Sequence, residues 1–166
     1  MILRDYRIIQ INENDKISTS EYEYIIWGNN ENISRMRQSK NFFIDGTFHY
    51  PQEFKQLMLI MYKDIITAIK NPGLYILLNS KKEMLYNYAF RGIMDLLTDN
   101  NSITLKVETV VTDQEKALIN VVNTYFPKAQ RISCLFHYKQ DKFKYLNLKD
   151  YTINQIKKKV ILYYMN

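Results

Sequence analysis

The chain has one cysteine, three prolines, four glycines and two histidines among 166 residues. A single cysteine excludes an internal disulfide framework and suits a reducing compartment. A closed zinc site needs four ligands, and Cys134, His137 and His49 exhaust the usual soft ones. No Gly/Ser linker, internal repeat or low-complexity tract is present, only an enrichment in Asn, Lys, Ile and Tyr that an AT-rich genome would also produce. No apolar run is long enough to cross a bilayer, and Met1-Ile2-Leu3-Arg4-Asp5 lacks a signal-peptide pattern, so an intracellular protein is expected. Acids are outnumbered by bases, 17 to 23; the resulting net charge of +6 favours an anionic partner without identifying it. What remains is ordinary globular material, 46% hydrophobic and 24% charged, in a length that suits one domain with a genuine core.

The bases concentrate late in the chain. Lys139, Lys142, Lys144, Lys149, Lys157, Lys158 and Lys159 alternate with Tyr138, Phe143, Tyr145 and Tyr151. Such a surface suits a phosphate backbone with stacked bases. For any single lysine, a solvated helix face with inward-packed tyrosines is the favoured reading.

Two aspartates sit in strongly apolar surroundings, Asp45 within Phe42-Phe43-Ile44-Asp45-Gly46-Thr47-Phe48 and Asp113 at the end of Val110-Val111-Thr112-Asp113. Burying a carboxylate costs several kcal/mol unless a cation or a hydrogen-bond network compensates it, on the order of the transfer penalties for polar groups. Asp45 is therefore either a metal-ligand candidate or a turn residue beside Gly46. Asp113 is either a second ligand or a carboxylate stabilising the start of a helix. A third segment, Ser133-Cys134-Leu135-Phe136-His137-Tyr138, spaces Cys134 and His137 as Cys-x-x-His. Cys134 also reads as a small buried apolar residue on a strand, and His137 as a helix-start residue packed against the sheet.

Periodicity predicts strands over Phe42–Phe48, Leu57–Tyr62 and Leu74–Leu78, with turns at 50–53 and 70–73. Met84, Leu85, Tyr88, Ala89, Ile93, Leu96 and Leu97 recur at helical spacing, with Ser80 placed as a cap. Val107–Val111 reads as a fourth strand. Ala117 to Phe126 reads as a second helix stopped by Pro127, and Ile132–Phe136 as a fifth strand. Helical spacing returns from Thr152, with Gln155 as a capping-box partner. Ahead of this core, Tyr22–Trp27 reads as a strand and Asn30–Gln38 as a short helix; the first 20 residues show no decisive pattern. The expectation is an α/β fold with a mixed five-stranded sheet, three meandering strands followed by two parallel ones, and flanking helices. The division expected is an N-terminal extension over residues 1–39 and a core over 40–166.

The order aromatic-Ile-Asp-Gly-Thr-Phe, then Thr-Asp before a helix, then Cys-x-x-His, with these elements between, resembles the transposase domain of Mutator-like elements. The resemblance runs from about Tyr22 to about Lys142. It implies a ribonuclease H-like core that cuts and joins DNA strands with Mg²⁺ or Mn²⁺. Asp45 would bridge two ions and Asp113 would hold one, while Cys134 and His137 would lie near the catalytic centre. It further implies DNA as partner, action in the nucleus and multimeric assembly; Lys139, Lys142 and Lys144 are the candidate phosphate contacts. The resemblance also implies a third acid, usually Glu, well beyond the Cys-x-x-His. Only Asp141 and Asp150 follow His137, and the chain closes on the apolar run Val160–Met165. A core truncated at its C-terminus is expected, with little or no activity of its own. A domesticated or decayed module that keeps the fold without catalysis is the alternative, and another nuclease of the same fold a third.

Overall fold

A computed structural model describes residues 2–12, 19–47, 54–99 and 102–134. Among these described residues seven strands join in one sheet: β1 (Ile2–Asn12), β2 (Thr19–Gly28), β3 (Asn41–Thr47), β4 (Gln56–Lys63), β5 (Lys70–Leu78), β6 (Thr109–Thr112) and β7 (Gln130–Ser133), in the order β1-β2-β5-β4-β3-β6-β7. Three helices are interspersed among the described residues: α1 (Asn30–Gln38), α2 (Glu83–Thr98) and α3 (Lys116–Tyr125).

Each of the five expected strands has a counterpart, the last at Gln130–Ser133 and so sharing only Ile132 and Ser133 with the expected Ile132–Phe136, and the sheet is two strands wider. Both additions come from the N-terminal segment. β2 pairs antiparallel with β5, from Tyr24 opposite Leu78 to Gly28 opposite Leu74, and β1 pairs antiparallel with β2. The residues read as an extension therefore complete the outer side of the meander. β3, β4 and β5 form that meander, while β6 and β7 run parallel to β3. A parallel neighbour needs a crossover connection, and α2 and α3 supply the two required.

The pleat divides each strand into two faces. In β4, Gln56, Met58, Ile60 and Tyr62 are buried while Leu57, Leu59 and Met61 are half-buried. In register with them lie Phe42 and Ile44 of β3 and Leu74, Ile76 and Leu78 of β5. Leu85, Tyr86, Ala89, Phe90, Ile93 and Leu97 of α2 and Leu118, Val121 and Val122 of α3 join the same core. Phe42 meets Phe126 edge to face at 5.7 Å. α1 adds Ile33 and Met36, the latter so close to Gly73 that any side chain there would collide with its sulfur.

Two local expectations need correcting. The β4–β5 turn lies at residues 64–69, not 70–73. Asp64 Oδ1 accepts from the Ile66 and Thr67 amides, each at 2.9 Å, and Ala68 takes a left-handed φ of 58°. Pro72 instead sits inside β5, beyond the last β2 partner and beside a register shift at Ile60/Met61, where a missing N–H is tolerated. Ser80 does not cap α2: Lys82 is its N-cap, without a side-chain bond, and Ser80 Oγ accepts from the Lys82 amide at 3.3 Å.

Candidate metal centre at the carboxyl ends of the parallel strands

The register of β3 on β6 places the two aspartates. Ile44 and Thr112 are cross-strand partners, and Asp45 and Asp113 each follow next in the chain. Both acids thus stand at the C-terminal end of adjacent parallel strands, the end at which open α/β sheets bind ligands. Thr112 is in turn partnered by Ser133, the last residue of β7.

Their side chains have different surroundings. Asp113 is buried, with 5% of its surface exposed, and its Oδ1 accepts from the Glu115 amide at 3.0 Å. That bond fixes the approach to α3, so the helix-start reading of Asp113 accounts for one of its two oxygens. Oδ2 lies on the side of Gly46, 3.8 Å from where a Cβ there would stand. Among the described residues no hydrogen bond reaches Oδ2. Asp45 is exposed, whereas its neighbours Ile44 and Gly46 are buried. Strand alternation therefore sends the Asp45 carboxylate off the sheet on the face away from the helices, opposite to Asp113. Adjacent backbones, with carboxylates leaving on either side of β3, replace the simple picture of two acids opening into one pocket.

Behind Asp113 lies a polar cluster that the sequence reading missed. Gln56, wholly buried at the start of β4, occupies the space left by Gly46, where any Cβ would collide with the Gln56 amide. Gly46 is needed for this close approach. The Tyr86 hydroxyl faces Gln56 Oε1 and also Glu115 Oε1, the latter at 2.9 Å, while Gln56 Nε2 is buried without a partner among the described residues. Burial first, then the charge of Glu115, pushes the Tyr86 hydroxyl above its ordinary range, so it stays protonated. The one sequence signal was Gln56 itself, a polar residue in phase with Met58, Ile60 and Tyr62.

Among the described residues, no group of three or more His, Cys, Asp or Glu is arranged to hold a metal. Cys134 is half-buried and free directly after β7. His137, Lys139, Lys142 and Lys144 lie outside the described residues, as do the expected C-terminal helix and the last residues of the fifth predicted strand. No described helix is long and apolar enough to cross a membrane.

A mixed sheet with aspartates on adjacent parallel strands, covered by helices, defines an α/β domain. The particular family follows from comparison: residues 42–141 match the model of the MULE transposase domain, and the chain belongs to that family. No curated protein matches the chain.

Proposed function

We propose that the chain is the catalytic-core portion of a Mutator-like DNA transposase, built on a ribonuclease H-like sheet and cutting and joining DNA strands with a divalent metal in the intact protein. The observation that carries this reading is the register that sets Asp45 beside Asp113 within the family-matched span. The strand order β5-β4-β3-β6-β7, three meandering and two parallel, supports the ribonuclease H-like assignment.

The residues present fit a hard cation. Mg²⁺ and Mn²⁺ take oxygen ligands and keep several waters, so few protein carboxylates suffice. Asp113 would offer Oδ2 and anchor the site; Asp45, on the neighbouring strand but with its carboxylate on the other face of the sheet, would have to turn toward it to serve as the second ligand. When bound, the ion supplies charge stabilisation for an in-line displacement at phosphorus. His137 and the lysines at 139, 142 and 144 serve as DNA contacts, and action in the nucleus as a multimer completes the reading.

The outward course of Asp45 favours one alternative, a transposase-derived DNA-binding module without catalysis. Metal binding and strand cleavage separate the two. Under the first reading the chain binds Mn²⁺, the affinity falls at least tenfold in Asp113→Asn, and the parent protein nicks supercoiled DNA only with added Mg²⁺ or Mn²⁺. DNA binding with no Mn²⁺ binding at millimolar concentration would establish the module instead.

A further inference from the structure

The Tyr86 hydroxyl carries one proton but stands against two oxygens, Gln56 Oε1 and Glu115 Oε1, while the other end of the Gln56 amide, a donor, is buried with no acceptor among the described residues. One hydroxyl proton cannot serve two acceptors. Turning the amide by half a rotation relieves both faults together: Gln56 donates to Tyr86 Oη, Tyr86 donates to Glu115, and the amide nitrogen gains a partner. The same rotation carries the Gln56 carbonyl oxygen to the Gly46 side, where Asp113 Oδ2 also lies. Two oxygen acceptors then face one space with no described donor between them. Burial of Gln56 at 0% and Asp113 at 5% exposure makes that arrangement costly unless a cation fills it.

We propose that Gln56 presents its side-chain carbonyl oxygen beside Asp113, so that the two supply hard oxygen donors to one divalent-cation site, held in place by Tyr86 and Glu115. This rests on the metal-dependent reading above and adds a neutral ligand from β4. An amide oxygen suits Mg²⁺ and Mn²⁺ as a carboxylate does, and it adds no negative charge to a buried position. Tyr86 and Glu115 are positioning residues: the relay from amide to hydroxyl to carboxylate fixes which end of Gln56 faces the ion. Partners of this kind typically alter metal affinity by about 10–100-fold when removed.

The test is Mn²⁺ binding by calorimetry to the full chain, its Asp113→Asn variant and its Gln56→Leu variant, with thermal melts as a control on folding. The expected result is binding by the wild type and a loss of about tenfold or more in each variant. Wild-type binding with unchanged affinity in a folded Gln56→Leu would overturn the Gln56 assignment and leave the metal-dependent reading standing. No binding by the wild type would overturn both. A second measurement needs no variant, so a Gln56→Leu chain that fails to fold does not spoil the test. The ¹³C resonance of the Gln56 side-chain carbonyl should move on adding Mg²⁺, and its amide protons should broaden with Mn²⁺. A carbonyl resonance that stays fixed while backbone signals at 112–115 respond would place the nitrogen toward Asp113 and refute the proposal.

Discussion

Gly46→Ala isolates the contact on which the polar cluster depends. The new methyl would collide with the end of the Gln56 amide that faces it, lie 3.2 Å from Gln56 Cδ and reach 3.8 Å from Asp113 Oδ2. Gly46 has no positive φ, so alanine brings no backbone strain and the whole cost is steric. Gln56 is wholly buried and cannot withdraw without leaving Tyr86. Overpacking of a full core costs about 1–3 kcal/mol. A buried polar group that loses its partner costs a further ~1–3 kcal/mol. A loss of roughly 2–6 kcal/mol combines the two, and at about 2–4 °C per kcal/mol for a chain of this size the melting temperature should drop by roughly 4–24 °C. A thermal melt followed by circular dichroism measures it. The decisive control is Gly46→Ala in a Gln56→Ala background, where the methyl enters space already vacated. The destabilisation should there shrink by roughly 1–3 kcal/mol, as for residues in direct contact. Additive effects of the two substitutions, or a single-variant melt within about 1 °C of wild type, would refute the proposed contact.

Other outcomes follow from the same structure. Asp64 has its carboxyl lowered to about 2, chiefly by the Thr67 amide and then by the Arg35 guanidinium at 2.8 Å. A depressed acid stabilises the fold above its unfolded pKa of about 3.9 and loses that contribution as pH falls toward 2. Urea melts should thus lose stability between about pH 4 and pH 2, and Asp64→Asn should flatten that part of the profile; an unchanged slope would exclude Asp64 as its source. Tyr86→Phe strips the hydroxyl from between Gln56 and Glu115 and should cost about 1–3 kcal/mol in chemical denaturation, whereas a neutral result would mean that the cluster is not coupled. Phe42→Ala, at 1% exposure and against Phe126, should cost about 3–5 kcal/mol by the same assay.

Elements defined by local periodicity were legible in the chain. Asn30–Gln38 is a helix with the bounds the sequence indicates, and Asn29 caps it by accepting from the Asn32 amide at 2.6 Å. The strand around Asp45 and the helix before Pro127 likewise follow their apolar spacing. β1 was not legible. Its strand character comes from pairing with β2, and the register shift between Leu3 and Asp5 interrupts the alternation that would betray it. The 64–69 turn was hidden because Ile65 and Ile66 look like strand residues, while the turn is made by one carboxylate gathering backbone amides. The sequence singled out Asp45 and Asp113 as candidates but not which face each carboxylate takes. Gln56, Tyr86 and Glu115 come from three separate elements, and only the folded chain brings them together. Gln56 alone left a trace, as an amide in the buried phase of β4.

The central proposal is that the adjacent strand ends at positions 45 and 113 border one divalent-cation site. Affinity cleavage tests it directly: Fe²⁺ is substituted for Mg²⁺, and peroxide and ascorbate are added so that radicals cut the polypeptide beside the bound metal. The account predicts paired cuts near residue 45 and near residue 113, suppressed by excess Mg²⁺ and lost in Asp113→Asn. Cuts at other positions, or cuts at these two that persist in excess Mg²⁺ and in the variant, would contradict it.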